Sequence, residues 1–167
     1  MVLSKDLCGI LAVGGQKERA ARDFYLEASR RTSHPLGKQM FERLAGEEAK
    51  HAQLLQGWAN NGLCPADVKF PPVDKEWLNK ARAKIREAVK ADTTDTQAIE
   101  LGQDMERKSI AFYQDCAAKV ADVTAKDLFL RLKAEEDRHL AILTDLYDFM
   151  VDPGLWSVRD ERANFDS

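Results

Sequence analysis

The sequence predicts an all-α protein, a four-helix bundle made of two homologous helical hairpins joined by a long crossover. Three observations carry that reading. Four long stretches, at roughly 5–31, 35–60, 95–121 and 124–150, are poor in Pro and rich in Ala, Leu, Glu, Lys, Arg and Gln, the strong helix formers. The second pair of stretches repeats the first. Apolar residues recur at spacings of three and four along all of them, as the inner face of a bundle requires.

The elements follow in order. The first break, Thr32-Ser33-His34-Pro35, and the last, Ala121-Asp122-Val123-Thr124, are so short that the flanking helices must double back as hairpins, 5–60 and 95–150. Ser33 and Asp122 are the expected N-caps of the returning helices. His34 sits beside Pro35 in the first turn and is expected to be solvated. The crossover, 61–94, holds Asn61-Gly62, Pro65 and Pro71-Pro72 and is not one continuous helix, although Asp74 to Lys90 is suited to a shorter one. It is long enough to travel the whole bundle, since a 25-residue helix spans about 38 Å. The bundle domain is expected over 1–151. Residues 152–167, opening with Asp152-Pro153-Gly154, read as a C-terminal tail.

Sliding the chain by 88 positions aligns 14–55 with 102–143 without a gap, and 13 of those 42 positions are identical. The matches include Gly14/Gly102, Glu18/Glu106, Phe24/Phe112, Tyr25/Tyr113, Phe41/Phe129, Arg43/Arg131, Glu47/Glu135, Glu48/Glu136 and His51/His139. A repeat of this kind makes a bundle with pseudo-twofold symmetry.

Composition excludes several classes. The 167 residues carry a net charge of -3 with mixed signs, so no basic surface invites nucleic acid. Cys8, Cys64 and Cys116 are far apart with no CxxC, which fits neither a disulfide-dense scaffold nor a zinc or iron–sulfur finger. The apolar start, Leu7 to Val13, follows Lys5-Asp6 and lacks a small-x-small cleavage site, so it reads as helix and not as a signal peptide. No run approaches the roughly 20 apolar residues of a membrane span, and a cytoplasmic protein is expected.

The inner stripes carry the chemistry. They read Leu7, Leu11, Gly14, Glu18, Ala21, Tyr25 and Ala28 in the first helix, and Phe41, Leu44, Glu48, His51, Leu55 and Trp58 in the second. The third gives Ile99, Gly102, Glu106, Ser109, Tyr113, Cys116 and Val120, and the fourth gives Phe129, Leu132, Glu136, His139, Leu143, Leu146 and Met150. Each stripe is apolar or small except near its middle, where Glu, or Glu with His, interrupts it at matching heights. Four carboxylates in one core would cost several kcal/mol per unpaired charge, and no Lys or Arg lies in the stripes to neutralise them. Two divalent cations would balance them. One Glu from each of two helices plus Glu-x-x-His from the other two is the ligand set of carboxylate-bridged di-iron or di-manganese bundles. The expected ligands are therefore Glu18, Glu48, His51, Glu106, Glu136 and His139. Oxygen with imidazole suits iron or manganese, so two iron ions are expected, with manganese or zinc as substitutes.

The motifs ERAARDFY (Glu18, Tyr25), LAGEEAKH (Glu48, His51), ERKSIAFY (Glu106, Tyr113) and LKAEEDRH (Glu136, His139) resemble, in order, those of the rubrerythrin-like branch of the ferritin-like superfamily, over about residues 5–150. The resemblance implies a ferritin-like di-iron oxidoreductase, active against oxidative stress, that reduces hydrogen peroxide or dioxygen. It also implies a homodimer. Two features depart from the family pattern. The paired CxxC motifs of a rubredoxin-like electron-transfer module do not occur in these 167 residues, so electrons are expected from a separate donor protein. A second Glu one turn after the third-helix ligand is replaced by Ser109. The ligand set is also compatible with a ferroxidase or iron-binding protein, with a non-catalytic metal-stabilised bundle, and with an oxygenase acting on an organic substrate.

Several flanking residues carry further expectations. Tyr25 and Tyr113, seven residues after their Glu, are expected to donate hydrogen bonds to metal-bound carboxylates. Glu47 and Glu135 are expected to be solvated rather than bonded to a ligand histidine on a neighbouring helix. Cys116, about 15 Å along the helix from Glu106, reads as a small core residue. Trp58 and Trp156 read as packing residues.

Overall fold

A computed structural model of the protein describes residues 5–60, 94–152 and 154. The crossover up to residue 93, with its expected helix at 74–90, and the tail from 155 on, with Trp156, lie outside the described residues. Among the described residues four helices are seen: α1 (Lys5–Arg31), α2 (Pro35–Asn60), α3 (Asp95–Lys119) and α4 (Val123–Val151). Among the described residues no helix is long and apolar enough to cross a membrane.

Helix ends follow local chemistry. Thr94 opens α3 with a capping box, its hydroxyl accepting from the Gln97 N–H while the Gln97 side chain accepts from the Thr94 N–H. α3 stops at Lys119, two residues earlier than expected, because Val120 turns to extended backbone while its N–H still reaches Cys116 O. Asp122 caps α4 as expected, its carboxylate accepting from the Ala125 N–H at 2.7 Å. Ser33 does not play the matching part at α2. Its hydroxyl donates instead to Asp95, and the Nδ1 of His34 accepts from the Leu36 N–H at 3.2 Å. Pro35 follows at the first helical position, where its missing N–H costs nothing. His34 is accordingly half-buried rather than solvated, with its ring edge-on to Phe149.

α1 packs along α2 and α3 along α4, and contacts of α1 with α3 and of α2 with α4 close the bundle. The turn of the first hairpin is tied to the start of α3, where Thr32 donates to Asp95 at 2.7 Å. Asp95 therefore lies at the turn end of the first hairpin, while Asn60 lies at the other end of α2, roughly 39 Å away along the helix.

The core divides into two apolar clusters with a charged belt between them. One includes Leu7, Leu11, Leu55, Tyr113, Phe129 and Leu132. The other includes Phe24, Tyr25, Phe41, Leu44, Ile99 and Leu143. Every inner-stripe residue is buried except Trp58, Ser109, Val120 and Met150, which are half-buried. The repeat is visible in the packing. Tyr25 lies near-parallel to Phe41 at 6.0 Å with Phe24 edge-on at 5.2 Å, and Tyr113 lies near-parallel to Phe129 at 6.1 Å with Phe112 edge-on at 5.2 Å. Gly14 and Gly102 make room for these rings. A Cβ on Gly102 would come within 3.2 Å of both Tyr25 and Leu143, and one on Gly14 within 3.1 Å of Leu55 and 3.6 Å of the Tyr113 hydroxyl.

Removing the cap with Asp122→Ala should cost about 1 kcal/mol in urea unfolding, whereas Ser33→Ala should stay within about 0.5 kcal/mol of the parent. Equal losses would contradict the capping difference.

Candidate metal centre

The middle of each helix contributes to the belt. The i, i+3 spacing of Glu48/His51 on α2 and Glu136/His139 on α4 puts each pair on one inward face, and Glu18 and Glu106 come in from α1 and α3. All six side chains are buried, and they form two overlapping groups. Glu18, Glu48, His51 and Glu136 bring ligand atoms within 4.8 Å of one another, and so do Glu48, Glu106, Glu136 and His139. Glu48 and Glu136 belong to both groups. The structure thus brings together all six sequence-predicted ligand candidates and singles out the two carboxylates that lie between the groups.

Five buried atoms at this centre have no hydrogen-bond partner: Glu48 Oε1, both carboxylate oxygens of Glu136, and the Nδ1 atoms of His51 and His139. They are close to one another without being aligned for hydrogen bonding. His51 Nδ1 is 3.1 Å from Glu136 Oε1, and His139 Nδ1 is 2.9 Å from Glu48 Oε1 and 3.2 Å from Glu136 Oε2. Buried polar atoms are ordinarily paired, so a convergent set of unpaired oxygen and imidazole donors is what a metal pair would satisfy. The donor set therefore fits two divalent cations, with Glu48 and Glu136 shared.

Without metal the belt balances itself with protons. Burial, with Glu48 close by, holds the Glu18 carboxyl well above its ordinary range, and burial with Glu136 and Glu48 pushes Glu106 up to about 10. Burial opposes charge on Glu48 too, but Glu18 and the two histidines pull it down to about 2, and Glu136 is lowered by His139 and His51. Burial likewise opposes charge on the imidazoles. Glu136, Glu18 and Glu48 nevertheless raise His51 to about 12, and Glu136 and Glu48 raise His139 to about 11.

The tyrosines act across the bundle. The Tyr25 hydroxyl donates to Glu106, and the Tyr113 hydroxyl donates to Glu18, so each serves the carboxyl of the opposite hairpin and not the one seven residues earlier on its own helix. Both rings are fully buried, and burial next to these carboxyls raises their pKa well above the usual tyrosine value, which keeps them as donors. Cys116 is a buried free thiol, pushed up to about 11 by burial, in keeping with a packing role.

Glu47 departs from its expected solvation. Its Oε2 is 2.9 Å from His139 Nε2, and Arg43 and Arg138 hold the same carboxylate at 3.1 and 2.7 Å. Burial works against its charge, but His139 and the two arginines keep it below the ordinary carboxylate range. An ionised carboxylate only accepts, so Nε2 must carry the proton and Nδ1 faces the centre. Glu135 is half-exposed and pairs with Arg138. The identity of Glu47 and Glu135 in the repeat was the sequence signal for this contact, but it could not say which of them makes it.

A four-helix bundle with a buried carboxylate–histidine centre shared between two hairpins defines the class of ferritin-like proteins. The family model described as Rubrerythrin matches residues 10–147, and the chain belongs to the rubrerythrin family of ferritin-like di-iron proteins. No curated protein and no solved structure gives a significant match.

Because His51, His139 and Glu106 hold protons that the unfolded chain gives up at its ordinary pKa values of about 6.5 and 4.5, metal-free protein gains stability from them at low pH and loses it as pH rises. Its Tm should fall between about pH 6.5 and 9, whereas metal, which replaces those protons, should flatten or reverse the trend. A metal-free Tm that rises over that span would contradict this account of the belt.

Proposed function

We propose that the protein is a non-haem di-iron oxidoreductase that reduces hydrogen peroxide with electrons from a separate donor protein. The observation that carries this reading is the pair of four-residue groups sharing Glu48 and Glu136, with five buried donor atoms otherwise unpaired. Glu18 and His51 would complete one position, and Glu106 and His139 the other. When bound, a diferrous pair supplies one electron per iron, so that one peroxide and two protons become two waters.

The chain's own residues do the rest. Glu48 and Glu136 would fix the two ions side by side, the arrangement a two-electron step needs. Tyr25 and Tyr113 orient the carboxyls of Glu106 and Glu18 and share their hydrogen-bonding load. Leu44, Leu55, Leu132 and Leu143, all nearly inaccessible, flank the belt and limit water. Family membership supports the di-iron assignment.

Glu48→Ala and His139→Ala should each lower the iron content and abolish peroxide-dependent turnover, measured by elemental analysis and by oxidation of a supplied donor. Stopped-flow mixing of diferrous protein with peroxide and with oxygen tests the substrate. Oxidation that is fast with oxygen and slow with peroxide would reject the peroxidase reading.

A further inference from the structure

Strict repetition would give His51 the support from Glu135 that His139 receives from Glu47. The structure breaks that symmetry. Arg138, whose counterpart in the first hairpin is Lys50, takes hold of both Glu47 and Glu135. Arg43 reaches forward to Glu47 at 3.1 Å, whereas its counterpart Arg131 turns back to Asp127 at 2.8 Å. In the first hairpin the position of Asp127 is Gln39, which offers no such charge. Glu47 is thereby held against His139 with its side chain 17% exposed, while Glu135 is drawn outward to 45%. Among the described residues no hydrogen bond or ion pair joins Glu135 to His51.

The two histidines differ accordingly. His139 is fully buried, and its outward nitrogen is anchored by Glu47, whereas His51 is 10% exposed and its close charge contacts are all with centre carboxylates. A cavity of about 510 Å³ reaches His51, walled by Trp58, Leu128 and Leu132 with Arg131 and Glu135 at its edge. The pseudo-symmetric hollow near Leu36, Met40 and Ile142 holds only about 250 Å³, and His139 is not part of its wall.

We infer that the two metal positions are built unequally: Glu47 is a positioning residue that makes the His139 position the tighter one, and the His51 position is the one open to exchange and to small ligands. This rests on the reading that the six inner residues hold two ions. A carboxylate on the far nitrogen of a ligand imidazole fixes its tautomer and orientation and raises its basicity, and only one of the two histidines has that here.

The test is anaerobic titration of the metal-free full chain with Co²⁺, followed by calorimetry and visible absorption. Two ions per chain should bind in two resolved steps. Glu47→Ala should weaken the tight step by about 10–100-fold, and Glu47→Gln, whose carbonyl still accepts from Nε2, should recover part of that loss. Glu135→Ala should leave both steps within about threefold of the parent, since its carboxylate, although within 4.8 Å of ring nitrogens of both histidines, pairs with Arg138 and hydrogen-bonds to neither. Azide should change the cobalt spectrum only after the second ion has bound. Equal weakening by Glu47→Ala and Glu135→Ala, a single unresolved two-ion step, or an azide response at the first ion would each overturn the inference while leaving the two-ion site standing. Failure of the parent chain to bind two ions would overturn the site itself.

Discussion

Four carboxyls and two imidazoles must share the dry middle of one small bundle, and most of the structure is organised around that burden. Left unpaired, each charge would cost several kcal/mol, a large part of a domain's total stability. The arrangement meets the cost in two ways. Metal ions bound as proposed would sit at the point on which the unpaired atoms converge. Without metal, protons do so, held by Glu18, Glu106 and both histidines, while Glu48 and Glu136 keep their charge. The apolar clusters on either side then serve two purposes. They supply the burial that stabilises the helices, and they keep water from competing for the belt.

The tyrosines show how packing and chemistry are joined. Each is held between aromatic neighbours and gives its hydroxyl to a carboxyl of the other hairpin. Gly14 and Gly102 leave the room in which the Tyr113 and Tyr25 side chains make that crossing. The two hairpins are consequently interlocked by polar contacts at the centre as well as by apolar burial above and below it. Thr32 and Ser33 on Asp95 add a third tie, at the end of the bundle where the first hairpin turns.

Duplication supplied the symmetry, and a few unmatched surface residues disturb it. Arg138 against Lys50 and Asp127 against Gln39 lie outside the belt, yet they decide which of two identical glutamates reaches a histidine. Surface ion pairs are worth little to stability, so their influence here is on geometry. On the inference drawn above, the different pairing of one carboxylate would make one metal position anchored and the other open.

Much of this was legible in the sequence, because the governing signals are local and periodic. Helix lengths, both hairpins, the Asp122 cap and the inward faces follow from spacing, and the six inner residues follow from polar interruptions at matching heights in four stripes. The repeat supported the two hairpins and the six inner residues independently. What spacing could not supply was any choice between chemically identical partners across space. The sharing of Glu48 and Glu136, the crossing of each tyrosine to the opposite hairpin, the capture of Glu47 rather than Glu135 and the diversion of Ser33 to Asp95 are all decided by which helix lies beside which. Periodicity along a chain tells a residue's face and height. Its partner is set only when the hairpins pack, because hydrogen bonds depend on distances of a few ångströms between residues 60 to 95 positions apart.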